Sequence, residues 1–307
     1  MVSLYKSNDL WNFKEHKKMS INALRLFYTY LLMADLGTFY YEDCDYIEKR
    51  IPFVKLENLF NVEIKEEGDF ENALSELKQR WYDKKDKKYY RLFEIAKIDY
   101  KHKIFVLKIS KYFRGYFNYN PIFMSDKWAY RELIRLRFSD IIEFNTVAEI
   151  NLYEYFIYLR NLIDDSIRII EEYKMENGDL SEIPLNMYEK IKNIEKIGNN
   201  YFIRLTSKEI QDRLDCSNIK YSELKNVIDK VNDSTYLIVE IMKVETDYAG
   251  KINTITFNIR EKTLKETGAM FINKSMRNKK VVPEPTPNTI TFSFDNEDIQ
   301  HKLSIFF

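Results

Sequence analysis

The chain is poor in residues that carry covalent and metal chemistry. Its two cysteines, Cys44 and Cys216, lie far apart in sequence, and its three histidines, His16, His102 and His301, are scattered singly. Such a set provides no disulfide framework and no metal-ligand cluster, so no metal or other cofactor is expected. A nicking enzyme of the rolling-circle kind is excluded too, because it needs clustered histidines beside its tyrosine.

Glycine and proline are also scarce, at 7 and 6 of 307 residues. This composition predicts long regular elements joined by short polar turns, in a chain long enough for two domains. Even the apolar run at residues 21–36 contains Arg25 and Asp35, so it falls short of the roughly 18 uninterrupted apolar residues that cross a bilayer. The first residues have no apolar signal-peptide core, and a cytoplasmic protein is expected.

Nucleotide-binding motifs are absent as well. The sequence has no GxxxxGK[ST] loop of the helicase type and no glycine-rich dinucleotide fingerprint. Acidic pairs such as Glu66 and Glu67 lie in charged runs, which favours exposure to solvent over magnesium binding. The chain is therefore predicted not to be an enzyme.

The charge is balanced, with 48 lysines and arginines against 48 aspartates and glutamates. A net charge of zero argues against a nucleic-acid partner, because such proteins are usually basic. The charges are segregated, however. Residues 42–71 are rich in acids, whereas residues 97–114 contain six cations and Asp99 as the one acid. Such segregation allows one side of a neutral protein to face phosphates.

The most informative stretch is residues 205–262. Thr206 and Glu209 form a capping-box pattern, which predicts a short helix. A second helix follows, with an apolar face that includes Leu224, Ile228 and Val231. Two alternating segments, residues 236–244 and 252–259, then flank a turn at 247–250. Helix, turn, helix and hairpin together predict a winged helix, whose second helix commonly lies in the DNA major groove.

The same order of elements occurs earlier in the chain. A helix predicted over residues 70–81 is followed by alternating segments at 90–100 and 104–109. The sequence SELK occurs at residues 75–78 of this helix and again at residues 222–225, in the second helix of the later stretch. These agreements predict an internal duplication and an α+β, helix-rich fold with two tandem winged-helix domains.

A long helix is predicted between the two domains. Thr146 and Glu149 form a second capping-box pattern, and a continuous apolar stripe extends to about Lys174. A further helix is expected over residues 184–197. The resulting domains are 1–125, the first winged helix; 126–180, a linking helical segment; 181–264, the second winged helix and main recognition domain; and 265–307, a basic, proline-containing tail.

The second domain resembles plasmid replication initiators of the RepB/RepE class. The matching segments are LTSKEIQDRL, KYSELKNVIDKVNDST, LIVEIMKV and ITFNI, and SINALRLFYTYLL and FENALSELKQRW match more loosely. The resemblance covers roughly residues 15–262. It implies monomers that bind direct repeats in a plasmid origin, and dimers, formed through the first domain, that repress the protein's own promoter. It also implies recruitment of host helicase-loading proteins.

The candidate DNA contacts lie on both second helices and on the turns of both hairpins. The alternative is a solvated helix face for the helix residues and ordinary turn residues for those on the hairpins. Asn226 is the best candidate for reading a base, because an amide pairs bidentately with adenine, whereas lysines more often hold phosphates. The full set is Lys220, Tyr221, Ser222, Lys225, Asn226, Lys230, Lys243, Tyr248 and Lys251 in the second domain, and Lys78, Arg80, Lys84, Lys101 and Lys103 in the first.

The C-terminal letters KLSIFF resemble the bacterial sliding-clamp-binding peptide QLSLF. Lys302 stands where that motif has glutamine. Leu303, Ile305 and Phe306 would be the clamp anchors, and a buried final strand or a disordered end are the alternatives.

Three functions fit these observations. The first is a replication initiator that binds repeated duplex sites at an origin. The second is a winged-helix transcriptional regulator of a mobile element or phage. The third is a winged-helix module that binds proteins, which the neutral charge favours.

Overall fold

The computed structural model describes residues 3–7, 10, 13–33, 48–65, 68–83, 87–116, 133–177, 191–197, 200–214, 220–268 and 270. The chain divides into two units, Met1–Lys262 and Thr263–Phe307. In the second unit, Glu266 Oε2 accepts from the Thr263 amide at 2.8 Å, and Thr263 Oγ1 accepts from the Glu266 amide at 3.3 Å. This capping box begins a helical turn that the sequence reading missed. Leu303, Ile305 and Phe306, the candidate anchors for the sliding clamp, lie outside the described residues.

The first half of the larger unit is a helical core with a small antiparallel sheet. Helix α2 is its central element, and eight of its residues are buried, from Ala23 to Leu31. In chain order the elements are β1 (Ser3–Ser7), α1 (Lys14–Lys17), α2 (Ile21–Met33), β2 (Glu48–Pro52), α3 (Phe53–Phe60), α4 (Asp69–Lys78), β3 (Arg80–Asp83), β4 (Lys88–Arg91), β5 (Phe93–Asp99) and β6 (Ile104–Ile109), followed by a 3-10 turn at Lys111–Tyr116.

The second half is organised in a similar way around one long helix. In chain order its elements are β7 (Leu133–Arg137), α5 (Phe138–Ile141), α6 (Val147–Asn177), β8 (Ile194–Ile197), β9 (Asn200–Thr206), α7 (Ser207–Leu214), α8 (Tyr221–Ser234), β10 (Leu237–Thr246) and β11 (Ile252–Glu261).

The two halves contain the same strand order, and we call them the first repeat (residues 48–109) and the second repeat (residues 200–261). In the first, β6 lies between β2 and β5; in the second, β11 lies between β9 and β10. All of these pairings are antiparallel. In both repeats two helices separate the first strand from the hairpin. The α+β fold predicted from the sequence is therefore confirmed.

The predicted helix at residues 70–81 ends earlier than expected. Helix α4 stops at Lys78, because Gln79 adopts an extended backbone with φ −55° and ψ 152°. Arg80–Asp83 then pairs as strand β3 with β4. The segment 90–100, predicted as one strand, is split between β4 and β5 at Leu92. Arg80 therefore lies on a strand and not on a helix.

The segment between the repeats differs in part from the prediction. The capping box is confirmed, since Glu149 Oε2 accepts from the Thr146 amide at 3.0 Å and Thr146 Oγ1 accepts from the Glu149 amide at 3.2 Å. Helix α6 is part of the core of the second repeat as well as a connection between the repeats. It packs against α7, α8 and β9, as α2 packs against α3 and α4. Residues 133–137, expected to be helical, instead form β7, paired with β1.

The helix expected over residues 184–197 is wrong at its C-terminal end. Ile194–Ile197 is strand β8, which extends the second sheet by pairing with β9. The alternation Ile-Glu-Lys-Ile at this point agrees with a strand better than with a helix. Residues 178–190 lie outside the described part of the chain.

The hydrophobic core runs without interruption through both repeats. Phe156 of α6 contacts Phe257 of β11, with ring centroids 5.8 Å apart. A buried ion pair lies within this core. Lys6 Nζ of β1 is 2.5 Å from Glu154 Oε2 of α6, and both side chains are fully buried. The N-terminal strand is thus fixed to the helix that supports the second repeat.

Candidate nucleic-acid interface

Helix α8 has one buried face and one polar, exposed face. Leu224, Ile228 and Val231 are buried against the rest of the second repeat. The residues predicted to contact DNA lie on the other side of the helix. Lys220, Tyr221, Ser222, Lys225 and Asn226 are exposed, and Lys230 is half-buried. The helix therefore presents a continuous polar surface at its N-terminal half.

A polar clamp holds the C-terminal end of α8 against the hairpin. Asn232 Oδ1 accepts from the Val239 amide at 2.7 Å, and its Nδ2 donates to the Val239 carbonyl at 2.9 Å. Lys262 Nζ donates to the carbonyls of Asn232 and Thr235, the latter at 2.5 Å. A lysine at this position also complements the negative end of the helix dipole. The orientation of α8 relative to the hairpin is thereby fixed.

Sequence reasoning missed this clamp. Helix α8 continues to Ser234, so Asn232 lies within its last turn. The local signal was misleading, because Asn, Asp and Ser favour turns. The partner of Asn232 is a backbone group in the following strand, which no residue type reveals.

The preceding helix, α7, is fixed at its N-terminus as predicted. Glu209 Oε2 accepts from the Thr206 amide at 2.8 Å, and the Glu209 amide donates to Thr206 Oγ1 at 3.3 Å. The other oxygen, Glu209 Oε1, accepts from Asn193 Nδ2 at 3.0 Å. One carboxylate therefore both caps α7 and connects it to the residues before β8.

The hairpin tip of the second repeat is held in one conformation by Asp247. Its Oδ1 accepts from the amides of Ala249 and Lys251, each at 2.8 Å. Gly250 takes a φ of 75°, which favours glycine. Two predicted contacts, Tyr248 and Lys251, are exposed at this tip. The side chain of Tyr248 projects fully into solvent on a rigid turn.

Acidic neighbours offset two of the predicted cations. Lys220 pairs with Glu223 at 3.1 Å, and Lys243 pairs with Glu245 at 2.6 Å. Glu245 also accepts from Arg204 at 2.5 Å. Hydrogen bonds from Lys243, Thr254 and Arg204 lower the pKa of Glu245 to about 2. The Lys243 charge is therefore offset by a carboxylate that it shares with Arg204.

Three predicted cations of the second repeat are not offset in this way. Lys225, Lys230 and Lys251 form no ion pair with any residue that the structure describes. Cations without a partner keep their charge available for phosphate oxygens. They lie on helix α8 and at the tip of the hairpin whose first strand Asn232 joins to α8.

The first repeat presents a less basic helix. Lys78 is exposed at the end of α4, but two acidic side chains of that helix are used in structural contacts. Glu76 Oε2 accepts from the Ser20 amide at 2.7 Å, and Glu71 Oε1 accepts from the Tyr100 hydroxyl at 3.1 Å. The exposed face is left with Asn72, Ser75 and Lys78.

The turn of the first hairpin carries Lys101 and Lys103, which are both exposed. Lys103 takes a φ of 52°, and its carbonyl accepts from the Phe53 amide at 2.9 Å. His102 Nδ1 lies 2.8 Å from Asp99 Oδ2. The predicted wing contacts are therefore presented on an ordered turn. Arg80 is exposed on strand β3, which precedes this hairpin in the chain. Lys84 lies outside the described residues.

The fold has a solved counterpart. A crystal structure of the Pi initiator protein in complex with iteron DNA is similar to this chain, with a TM-score of 0.50 and 12% sequence identity. The similarity covers 85% of this chain and 97% of that chain. At this level of identity the comparison shows a shared fold.

The sequence comparisons add nothing to this similarity. No protein-family model matches the chain, and a search of curated proteins finds no match. Within the described ranges, no helix is long and apolar enough to span a bilayer. The same residues contain no group of three histidine, cysteine, aspartate or glutamate side chains suited to a metal ion.

Proposed function

We propose that this chain is a non-enzymatic, sequence-specific duplex-DNA binder that starts plasmid replication, as initiators of the RepB/RepE class do. The supporting observation is the repeated strand–helix–helix–hairpin architecture, in which the second repeat holds a polar, exposed helix rigidly beside its hairpin. The similarity in fold to an initiator crystallised with iteron DNA supports the same proposal. The protein would act in the cytoplasm, on repeated sites at a plasmid origin.

In this proposal α8 enters a major groove and the hairpin tip follows the adjacent backbone. Asn226 pairs with an adenine, and Lys225, Lys230 and Lys251 hold phosphates. Helix α4 contacts a neighbouring groove on the same site with fewer cations. Bound repeats then deform the DNA, which helps to open an A·T-rich segment nearby.

Further partners belong to the same proposal. Dimers formed through the first repeat would repress the protein's own promoter, and DNA-bound monomers would recruit helicase-loading proteins of the host. The C-terminal residues Leu303, Ile305 and Phe306 would bind the sliding clamp as an extended peptide. A clamp pull-down that survives deletion of residues 303–307 would contradict that last assignment.

A titration of labelled duplexes tests the central claim. The probe is the set of repeats beside the gene, and the competitor is random duplex of equal length. Specific binding should be tighter by about 10³-fold or more, and log K should fall with log salt by about 0.9 per neutralised phosphate. Equal affinity for both duplexes would overturn the initiator proposal.

The same titration tests two alternative functions. A single palindrome at the promoter, bound without tandem repeats, would indicate a transcriptional regulator of a mobile element or phage. The net charge of zero favours a protein-binding module. A protein-binding module would show no duplex binding, even at low salt.

A further inference from the structure

The first repeat contains a hairpin that the second repeat lacks. In the second repeat, Thr235 and Tyr236 are the only residues between helix α8 and strand β10. In the first repeat, residues 79–92 separate helix α4 from strand β5, and they include the two strands β3 and β4. The hairpin is therefore an addition to the shared architecture and is not needed to complete the three-stranded sheet.

The inner face of this hairpin is firmly packed. Trp81 is 1% exposed, and its ring centroid lies 5.2 Å from that of Phe113 and 5.5 Å from that of Phe13. Tyr90 stacks in parallel on Tyr112 at 3.5 Å. The hydroxyl of Tyr112 also donates to Asp83. The hairpin is thus a rigid support, anchored by aromatic rings on one side.

The outer face consists of two cross-strand pairs of like residues. Arg80 lies directly opposite Arg91, and Tyr82 lies directly opposite Tyr89. The tyrosines are 36% and 63% exposed, and their ring centroids are 4.9 Å apart at an interplanar angle of 47°. Both arginines are exposed, and neither forms an ion pair with a described residue.

This arrangement is unfavourable for the free protein. Like charges directly opposite each other destabilise an antiparallel pair, and two neighbouring exposed aromatic rings leave apolar area in water. Both features become favourable with a ligand that supplies negative charge to the arginines and flat rings to the tyrosines. Nucleic acid is the polymer that carries both along one chain.

We propose that the outer face of the β3–β4 hairpin, formed by Arg80, Tyr82, Tyr89 and Arg91, binds unpaired nucleotides. A duplex does not suit the tyrosine pair, because its bases are already stacked and paired, whereas unpaired bases stack freely on aromatic side chains. The arginine row and the tyrosine row are two residues apart, about 6.8 Å along the strands. A single strand laid across the hairpin can therefore place phosphates on one row and bases on the other.

This site is separate from the duplex surface on helix α8 and goes beyond the proposed function. The hairpin does not depend on DNA binding by α8, because it belongs to the first repeat and has its own anchoring contacts. A loss of single-strand binding and a loss of duplex binding are therefore distinguishable with separate probes.

Fluorescence anisotropy with labelled oligo(dT) and oligo(U) of about 15 nucleotides tests the proposal on the full chain. Replacing both rings in Tyr82→Ala/Tyr89→Ala should raise the Kd for the preferred oligomer by at least about tenfold, because each stacked ring contributes roughly 5- to 150-fold. The matched variant Tyr82→Phe/Tyr89→Phe keeps both rings and should bind like the wild type. The preferred oligomer identifies the ligand as DNA or RNA.

The arginines provide a second readout. The double variant Arg80→Gln/Arg91→Gln should lower the slope of log K against log salt by about 1.4, which corresponds to two phosphates at about 0.7 each for single strands. Thermal melts of all variants show whether the fold is retained. Three outcomes would overturn the proposal: no binding of either oligomer by the wild type, unchanged affinity in the folded alanine variant, or equal losses for single-stranded and duplex probes.

Discussion

Asn232 of α8 forms two hydrogen bonds with the backbone of Val239 in β10, one through each end of its side-chain amide. No other side chain type offers a donor and an acceptor in this planar arrangement, apart from the longer glutamine. The pair fastens the end of the candidate recognition helix to the start of the hairpin that follows it. Its removal should affect both stability and DNA affinity.

Replacing Asn232 by alanine should lower the free energy of unfolding by about 1–3 kcal/mol, because the partly buried amide and carbonyl of Val239 lose their partner. Urea titrations measure the change. The control is Asn258→Ala, whose amide donates to Glu240 at 2.8 Å on the exposed side of the sheet. That variant should change stability by less than about 0.5 kcal/mol. Equal effects of the two substitutions would show that the clamp has no special role.

Substitutions on the exposed face of α8 should separate base contacts from phosphate contacts. Asn226→Ala should weaken binding to the cognate site by about 1–3 kcal/mol and relax the preference at one base pair. Lys225→Gln should weaken cognate and random duplexes alike and reduce the salt slope by about 0.9. Anisotropy titrations at several salt concentrations give both quantities.

A charge-matched control for Lys225→Gln is Lys65→Gln, which removes an exposed lysine from the loop after α3. It should leave both the affinity and the salt slope unchanged. If Asn226→Ala behaves like this control on every sequence, Asn226 faces solvent and reads no base.

The second repeat was predictable because its signals are local. The capping box at Thr206 and Glu209, the apolar face of α8 and the turn at Asp247 each depend on residues a few positions apart. Side chains within one turn of helix or one hairpin interact whatever the rest of the chain does. Their prediction therefore needed no knowledge of the tertiary structure.

The features that sequence reasoning missed depend on contacts between distant segments. Glu76 lies in the helix predicted over residues 70–81, and its side chain accepts from the Ser20 amide at the start of α2, a contact that the sequence does not reveal. The first residues of strand β3 were predicted as the end of a helix. They form a strand because they pair with β4 and because Trp81 packs on Phe13. Tertiary packing overrides local propensity at such positions. The Asn232 clamp and the Tyr82–Tyr89 face escaped notice for the same reason.

Tyr236 should make the protein sensitive to alkali. Burial raises its pKa to about 12, although the guanidinium of Arg137, which lies 3.6 Å from the ring centroid, acts in the opposite direction. The unfolded chain loses this proton near the ordinary tyrosine value of about 10. Between these values the folded state binds more protons than the unfolded state, so the contribution of Tyr236 to stability falls as pH rises.

The variant Tyr236→Phe should therefore lose less stability than the wild type on going from about pH 10 to 12. The difference should approach about 1.4 kcal/mol per pH unit. Urea midpoints measured across this range provide the test. Tyr248→Phe, at a fully exposed ring, is the control and should follow the wild type. Parallel curves for wild type and Tyr236→Phe would contradict the assignment.

The buried pair of Lys6 and Glu154 offers a test of how the N-terminal strand is held. Lys6 Nζ also donates to the Tyr28 hydroxyl at 3.2 Å, so its charge is shared between a carboxylate and a phenol. Burial lowers the pKa of Lys6, and Glu154 opposes this effect. Arg213, whose guanidinium lies 4.6 Å from the centre of the Tyr155 ring, adds a repulsive charge.

Glu154→Gln removes the carboxylate that lies 2.5 Å from Lys6 Nζ and leaves two cations, Lys6 and Arg213, near each other in the core. The loss in unfolding free energy should be about 3–5 kcal/mol, as is usual when one partner of a buried pair is removed. Changing both residues, as Lys6→Met/Glu154→Leu, should be less destabilising than Glu154→Gln alone, because no unpaired charge is then left from the pair. A double-mutant cycle from urea titrations measures the coupling. Additive single and double effects would mean that the two charges do not depend on each other, and that apolar packing alone holds β1 on α6.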